Sequence, residues 1–213
     1  MKIKSSVYFF IAIVFLIPAI AYAAINWYEW KYQRLPVLGE GKMVDGKTEY
    51  HTISDFSLTN QDGRHISAAD WKGKIVVANF FFTHCPAICP AMTKNLRKVQ
   101  QAFSYENKLL FNSFTVDPER DSISQLKNFS HRFNIDSSNW HLLTGEKKQI
   151  YRLARNSFMV VATDGDGGPE DFIHSESLVL IDTQKRIRGY YKGTEDGDIM
   201  KLIRDIKKLK DEN

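Results

Sequence analysis

The sequence predicts one α/β domain behind a single membrane-spanning helix, and three observations predict it. Two runs rich in β-branched and aromatic residues, Lys74 to Phe82 and Leu109 to Val116, have the composition of strands buried on both faces. Helix-patterned segments follow each run, and such alternation implies a parallel sheet. Ahead of them, Lys2 and Lys4 precede an apolar run from Val7 to Ile25, interrupted by Pro18, that is long enough to cross a bilayer.

That first run is closed by Trp27, Tyr28 and Trp30, residues suited to the headgroup level, and then by Lys31 and Arg34. A cleaved signal peptide is the alternative, because Ala21-Tyr22-Ala23 fits the small-residue cleavage pattern. The apolar run continues past that cut, which favours an uncleaved anchor. Either way, basic residues ahead of the span stay inside and the rest of the chain is exported to an oxidising side. The expected place is the inner (cytoplasmic) membrane, single-pass, with the C-terminal domain facing the periplasm or its equivalent. At 213 residues the chain suits one well-cored domain plus this appendage: residues 1–30 as anchor or signal segment, 31–52 as tether and 53–213 as domain.

Leu35 to Thr52 is mixed in composition, with Gly39, Gly41 and Gly46 and little periodicity, hence the tether. Ile53 to Leu58 alternates apolar and polar, and Asn60-Gln61-Asp62-Gly63 is turn chemistry ahead of Arg64 to Ser67, which together make a short hairpin. Ser67 then caps a brief turn ending at Gly73. After the strand 74–82 comes a helix through Ala91 to Val99, then the strand 109–116 and a helix from Ser122 to about Phe133. Trp140 to Leu143 is a short strand and Glu146 to Arg155 another helix. Ser177 to Ile181 and Ile187 to Tyr191 read as a hairpin before the closing helix. The order strand, helix, strand, helix, hairpin, helix is that of the thioredoxin-like fold, here with extra N-terminal strands.

The net charge of +4 comes largely from dispersed lysines and from Lys201 to Lys210, where apolar residues recur at helical spacing. This is the solvated face of an amphipathic helix, and export further disfavours a nucleic-acid partner. Asp164 and Asp166, interleaved with Gly165 and Gly167, resemble part of a calcium loop, yet no glutamate falls at its closing position. A solvated acidic turn is the reading adopted. His51, His65, His131 and His141 are read as packed or solvated side chains.

The chain's two cysteines, Cys85 and Cys89, lie where the strand 74–82 gives way to a helix. The helix N-terminus favours thiolate over thiol, the form that attacks disulfides and binds metals. Three chemistries fit the pair. A structural disulfide would close too short a loop to add much stability. In dithiol-disulfide exchange a low-pKa Cys85 attacks and Cys89 resolves, although three residues separate the pair where thioredoxin-type enzymes have two. A soft-metal site of two thiolates and another ligand suits copper.

Four stretches carry a resemblance: Lys72 to Phe80 leading into Thr83-His84-Cys85-Pro86-x-x-Cys89-Pro90; Val116-Asp117-Pro118-Glu119-Arg120-Asp121; Trp140 to Gly145; and His174-Ser175 ahead of Leu178 to Asp182. In this order they resemble the Sco (SenC/PrrC) family of copper-binding assembly factors for cytochrome c oxidase. The resemblance implies copper ligation, as Cu(I) or Cu(II), by Cys85, Cys89 and His174, with Asp117 beside the site orienting a ligand or engaging the partner. Ala87 stands where that family often has an acidic residue. Oxidoreductases of this fold place a cis-proline ahead of the late strand where this chain has His174, and His84 is read as a modifier of thiol acidity.

The resemblance thus implies a metallochaperone, not an enzyme, that supports assembly of the CuA centre. Its partners would be the CuA-bearing oxidase subunit, a copper donor, thiol reductant proteins and the membrane. The alternative is a membrane-anchored thiol-disulfide oxidoreductase that keeps recipient cysteines reduced through the same redox-active pair, Cys85 and Cys89.

Overall fold

The structure, a computed structural model, describes residues 5–32, 34–161, 173 and 175–212. The chain divides into two units, Met1–Arg34 and Leu35–Asn213. The first holds helix α1 (Ser5–Tyr32), with Pro18 inside it. Its stretch Ile11–Tyr28 is long and apolar enough to cross a membrane, and the side chains of 11–28 are all exposed. Apolar surface on that scale calls for a non-aqueous neighbour.

The second unit starts earlier than the domain boundary expected at Ile53. Within the stretch expected as a tether, β1 (Gly41–Val44) and β2 (Lys47–Tyr50) pair antiparallel around Asp45 and Gly46. Both turn residues have positive φ, 49° and 75°, the pair of conformations a two-residue hairpin turn requires. The hairpin escapes a periodicity argument because β1 is exposed at every position.

A seven-stranded sheet follows, built from β3 (Ser57–Asn60), β4 (His65–Ser67), β5 (Ile75–Phe81), β6 (Leu109–Thr115), β7 (Trp140–Thr144), β8 (Ser177–Ile181) and β9 (Ile187–Lys192), in the order β4-β3-β7-β6-β5-β8-β9. It is mixed, where alternation alone implied a parallel sheet. Only β5 with β6 and β6 with β7 run parallel; β3 joins β7, and β8 joins β5, antiparallel. The reason is connectivity: hairpins at both ends add antiparallel edges to a βαβαβ centre.

All seven residues of both β5 and β6 are buried, the polar Asn79, Asn112, Ser113 and Thr115 among them. Ile75, Val77 and Phe81 face one core with α2 (Ile88–Ala102), α3 (Ile123–Arg132) and α5 (Asp196–Asp211). Val76, Ala78 and Phe80 face the other, with Trp71, Ile150, Tyr151 and Phe158. There α4 (Lys147–Arg152) runs into a π-helical turn over Leu153–Ser157. Within the first core, Trp140 Nε1 donates to Ser113 Oγ at 2.9 Å, Ser113 Oγ donates to Asn79 Oδ1 at 2.6 Å, and Asn79 Nδ2 lies 3.9 Å from the Met92 sulfur on α2. This buried chain ties three strands to the helix that carries Cys89.

At the opposite end of the sheet, buried Arg188 holds the start of the unit to its finish. Its guanidinium donates to the carbonyls of Leu35 and Pro36 and to Asp182, and to Glu212 Oε2 at 2.6 Å. Glu212 also accepts from the Leu35 amide at 2.7 Å.

Candidate metal centre

Strand β5 ends at Phe81, and the next six residues turn the chain into α2 at the carboxyl end of two parallel strands, where open α/β sheets form their sites. Cys85 lies in this turn, half-buried, and its amide donates to the Phe82 carbonyl at 3.3 Å. Cys89 is in the first turn of α2 and is buried on the same face as Met92, Leu96 and Val99. Both thiols are free.

Ala87, at the N-cap of α2, has no side-chain oxygen to accept from the first amides, and the Cys85 sulfur takes that place. It accepts from the Cys89 amide at 3.4 Å. Burial by itself would raise the Cys85 pKa. Main-chain hydrogen bonds from Cys89, Ala87 and Ile88, and the side chain of Cys89, outweigh it and hold the thiol below its ordinary value of 9.0. Cys89 goes the other way. Burial, reinforced by the adjacent Cys85 sulfur and the charge of Asp121, pushes it up to about 12 despite a main-chain hydrogen bond from Phe82. One sulfur is thus primed to attack or ligate, and the other keeps its proton until something displaces it.

A cleft of about 210 Å³ opens on this pair. Phe80, Phe81, Phe82, Ile88, Val116 and Ile173 supply its apolar wall, and Ser175 and Glu176 its polar edge. His174 lies outside the described residues; Ile173 and Ser175, its chain neighbours, line the cleft with both cysteines. Among the described residues no third Cys, His, Asp or Glu completes a metal-holding cluster. Two sulfurs in an apolar wall fit a soft ion such as a monovalent copper and fit a hard one poorly.

Asp117 follows β6 at the same edge of the sheet, largely buried, with its carboxylate 3.8 Å from Arg120 Nε and its amide donating to Thr115 Oγ1 at 3.0 Å. The carboxylate beneath the cysteine turn is instead that of Asp121, fully buried, which accepts from the Thr83 amide at 3.1 Å and from the hydroxyls of Thr83 and Thr115. Asp121 closes the motif Val116-Asp117-Pro118-Glu119-Arg120-Asp121, and its place in the sequence alone assigns it no role. Half-exposed His84, expected to modify thiol acidity, stands 3.0 Å from Thr83 Oγ1 and 3.6 Å from Asp121 Oδ1, and it is not among the groups that shift the Cys85 pKa. His141 is largely buried, 3.4 Å from Asn60 Nδ2, with its pKa lowered by desolvation, and His51 Nε2 lies 2.8 Å from the Ser157 carbonyl.

A family model described as SCO1/SenC matches residues 44–211. The chain is 32% identical over 169 residues to the SCO1 protein homolog of Bacillus subtilis, covering 78% of this chain and 86% of that one. It spans about half the length of several mitochondrial relatives. Among solved structures, BsSco, described by its disulfide switch and as a member of the Sco family of cytochrome c oxidase assembly proteins, aligns with a TM-score of 0.65 at 30% identity, covering 81% of this chain and 96% of that one. Bradyrhizobium japonicum ScoI with copper bound aligns at 0.60 and 25% identity, covering 74% and 99%.

Proposed function

The chain belongs to the SCO1/SenC family, and from that premise we propose that it is a copper metallochaperone that supports assembly of the CuA centre of a cytochrome c oxidase. The observation that carries the reading is the pairing of a thiolate-prone Cys85 with a buried, protonated Cys89 in one apolar cleft whose wall includes both chain neighbours of His174. Cys85, Cys89 and His174 hold the cargo, and Asp117 flanks the site. Binding displaces the proton from Cys89. Two thiolates and a neutral imidazole leave Cu(II) formally neutral and Cu(I) singly negative, and the thiolates favour Cu(I). Delivery is ligand exchange, in which thiolates of the CuA-bearing subunit replace this site's donors one at a time. The half-burial of Cys85 leaves it the first sulfur a recipient reaches.

The same thiol asymmetry favours a second reading, dithiol exchange on the recipient. Cys85 thiolate attacks a recipient disulfide and Cys89 then attacks Cys85. The recipient leaves as two thiols while this pair becomes the disulfide, so an outside thiol reductant must reset it. On either reading α1 anchors the protein in the inner membrane with the site on the periplasmic side.

The test is titration of Cu(I) and Cu(II) into the reduced full-length protein in detergent, with chelator competition and visible absorption, against Cys85→Ser and His174→Ala. Tight one-to-one binding with thiolate-to-Cu(II) charge-transfer bands, lost in both variants, is the expected result. Absence of tight binding together with rapid reduction of a model disulfide would replace the chaperone reading with the reductase one.

A further inference from the structure

Asp121 has a fully buried side chain, and a carboxylate in that setting is costly unless its oxygens are met by donors. The donors come from two separate strand ends. Thr115 is the last residue of β6; Thr83 is the second residue beyond β5 and the second before Cys85. Oδ2 accepts from the Thr83 amide and the Thr115 hydroxyl, and Oδ1 accepts from the Thr83 hydroxyl. Asp121 is itself held by its amide, which donates to the Asp117 carbonyl at 2.9 Å, and Ser122 behind it caps α3, accepting from the Gln125 amide at 3.4 Å.

We propose that Asp121 is a positioning residue for the two-cysteine turn. Its carboxylate binds the turn to the β6 end through Thr83 and so fixes where the Cys85 sulfur stands over the first amides of α2. Thr83 is the joint. Beside these hydrogen bonds, His84 Nδ1 stands 3.6 Å from Asp121 Oδ1, and the Cys85 amide on Phe82 closes the turn on itself without tying it to β6. Without the three hydrogen bonds the sulfur would no longer be kept within 3.4 Å of the Cys89 amide. The role goes beyond binding a metal, since it shapes the thiol pair in the metal-free protein, and it rests on the copper reading for one of its two readouts alone.

The test compares Thr83→Val, Thr83→Ser and Asp121→Asn in the full-length protein in detergent. The first readout is Cu(I) affinity by chelator competition, and the second is the ratio of Cys85 to Cys89 alkylation by iodoacetamide in the reduced, metal-free protein. Thermal unfolding runs alongside. Removing the Thr83 hydroxyl or the Asp121 charge is expected to weaken Cu(I) binding about tenfold, as loss of an outer hydrogen bond to a ligand loop does, and to lower the Cys85-to-Cys89 ratio. Thr83→Ser keeps the hydroxyl and restores both. If Thr83→Val matches wild type in both readouts, whatever its melting temperature, Asp121 only packs and the proposal is overturned. Should Asp121→Asn fail to fold, the Thr83 pair still decides. A wild-type protein that binds no Cu(I) defeats the functional reading, and the alkylation ratio then judges the positioning role by itself.

Discussion

The amide of Cys89 donates to the sulfur of Cys85 across 3.4 Å, so one cysteine caps the helix on which the other sits. The two thiols are therefore not equivalent: the helix end lowers the pKa of one, and burial raises that of the other.

Reduced protein treated with iodoacetamide near neutral pH should lose Cys85 first. Its rate should level off at a lower pH than that of an unstructured cysteine, because its pKa lies below 9.0. With a pKa of about 12, Cys89 should react more slowly by at least about tenfold and show no plateau up to pH 11. Peptide mass spectrometry across a pH series reads both.

Alkali should destabilise the reduced protein ahead of the usual range. Cys89 keeps its proton in the fold up to about 12 but loses it near 9.0 when unfolded, and buried Tyr191, bonded to Asp205 at 2.8 Å, is likewise raised above its ordinary 10.0. Their contribution is complete below about pH 9 and falls as pH rises, because the unfolded chain then binds fewer protons than the folded one. Urea midpoints at pH 7, 9 and 10.5 measure the slope. Tyr191→Phe should flatten it above pH 10.

Ser113→Ala removes the middle of the chain from Trp140 to Asn79 and leaves a buried indole N–H and a buried amide oxygen without their partner. A loss of about 1–3 kcal/mol in urea unfolding is expected. A loss within error of zero would mean that the two groups find other partners.

Gly193→Ala should disturb the helix behind Cys89. A Cβ there would stand 2.5 Å from Met92 Cγ and 3.1 Å from the Glu176 carbonyl, which already accepts from the Gly193 amide at 2.8 Å. Overpacking of this kind, chiefly against the buried Met92 side chain, costs about 1–3 kcal/mol, and unfolding of the variant by urea checks it.

Much of this was legible because burial leaves a plain mark on composition. The strands 75–81 and 109–115, buried on both faces, could hardly be anything else, and Cys85 and Cys89 fall at the strand-to-helix junction their neighbours indicated. The β1–β2 hairpin was missed because exposed strands need no apolar alternation; Asp45-Gly46 was the available signal. The helix expected from Glu146 to Arg155 ends at Arg152 and passes into a π turn, a change in hydrogen-bond register that no residue pattern announces. The importance of Asp121 lies in a partner 38 residues away, which local reasoning does not reach.

Arg188 gathers the carbonyls of Leu35 and Pro36, the side chain of Glu212 and that of Asp182 onto one guanidinium. In mechanical terms it is an anchorage: a pull on the chain arriving at Leu35 is shared at once with the last turn of α5 and with β9 at the sheet edge. The strand that leads into the cysteine turn lies two places inward from that edge, with β8 between them.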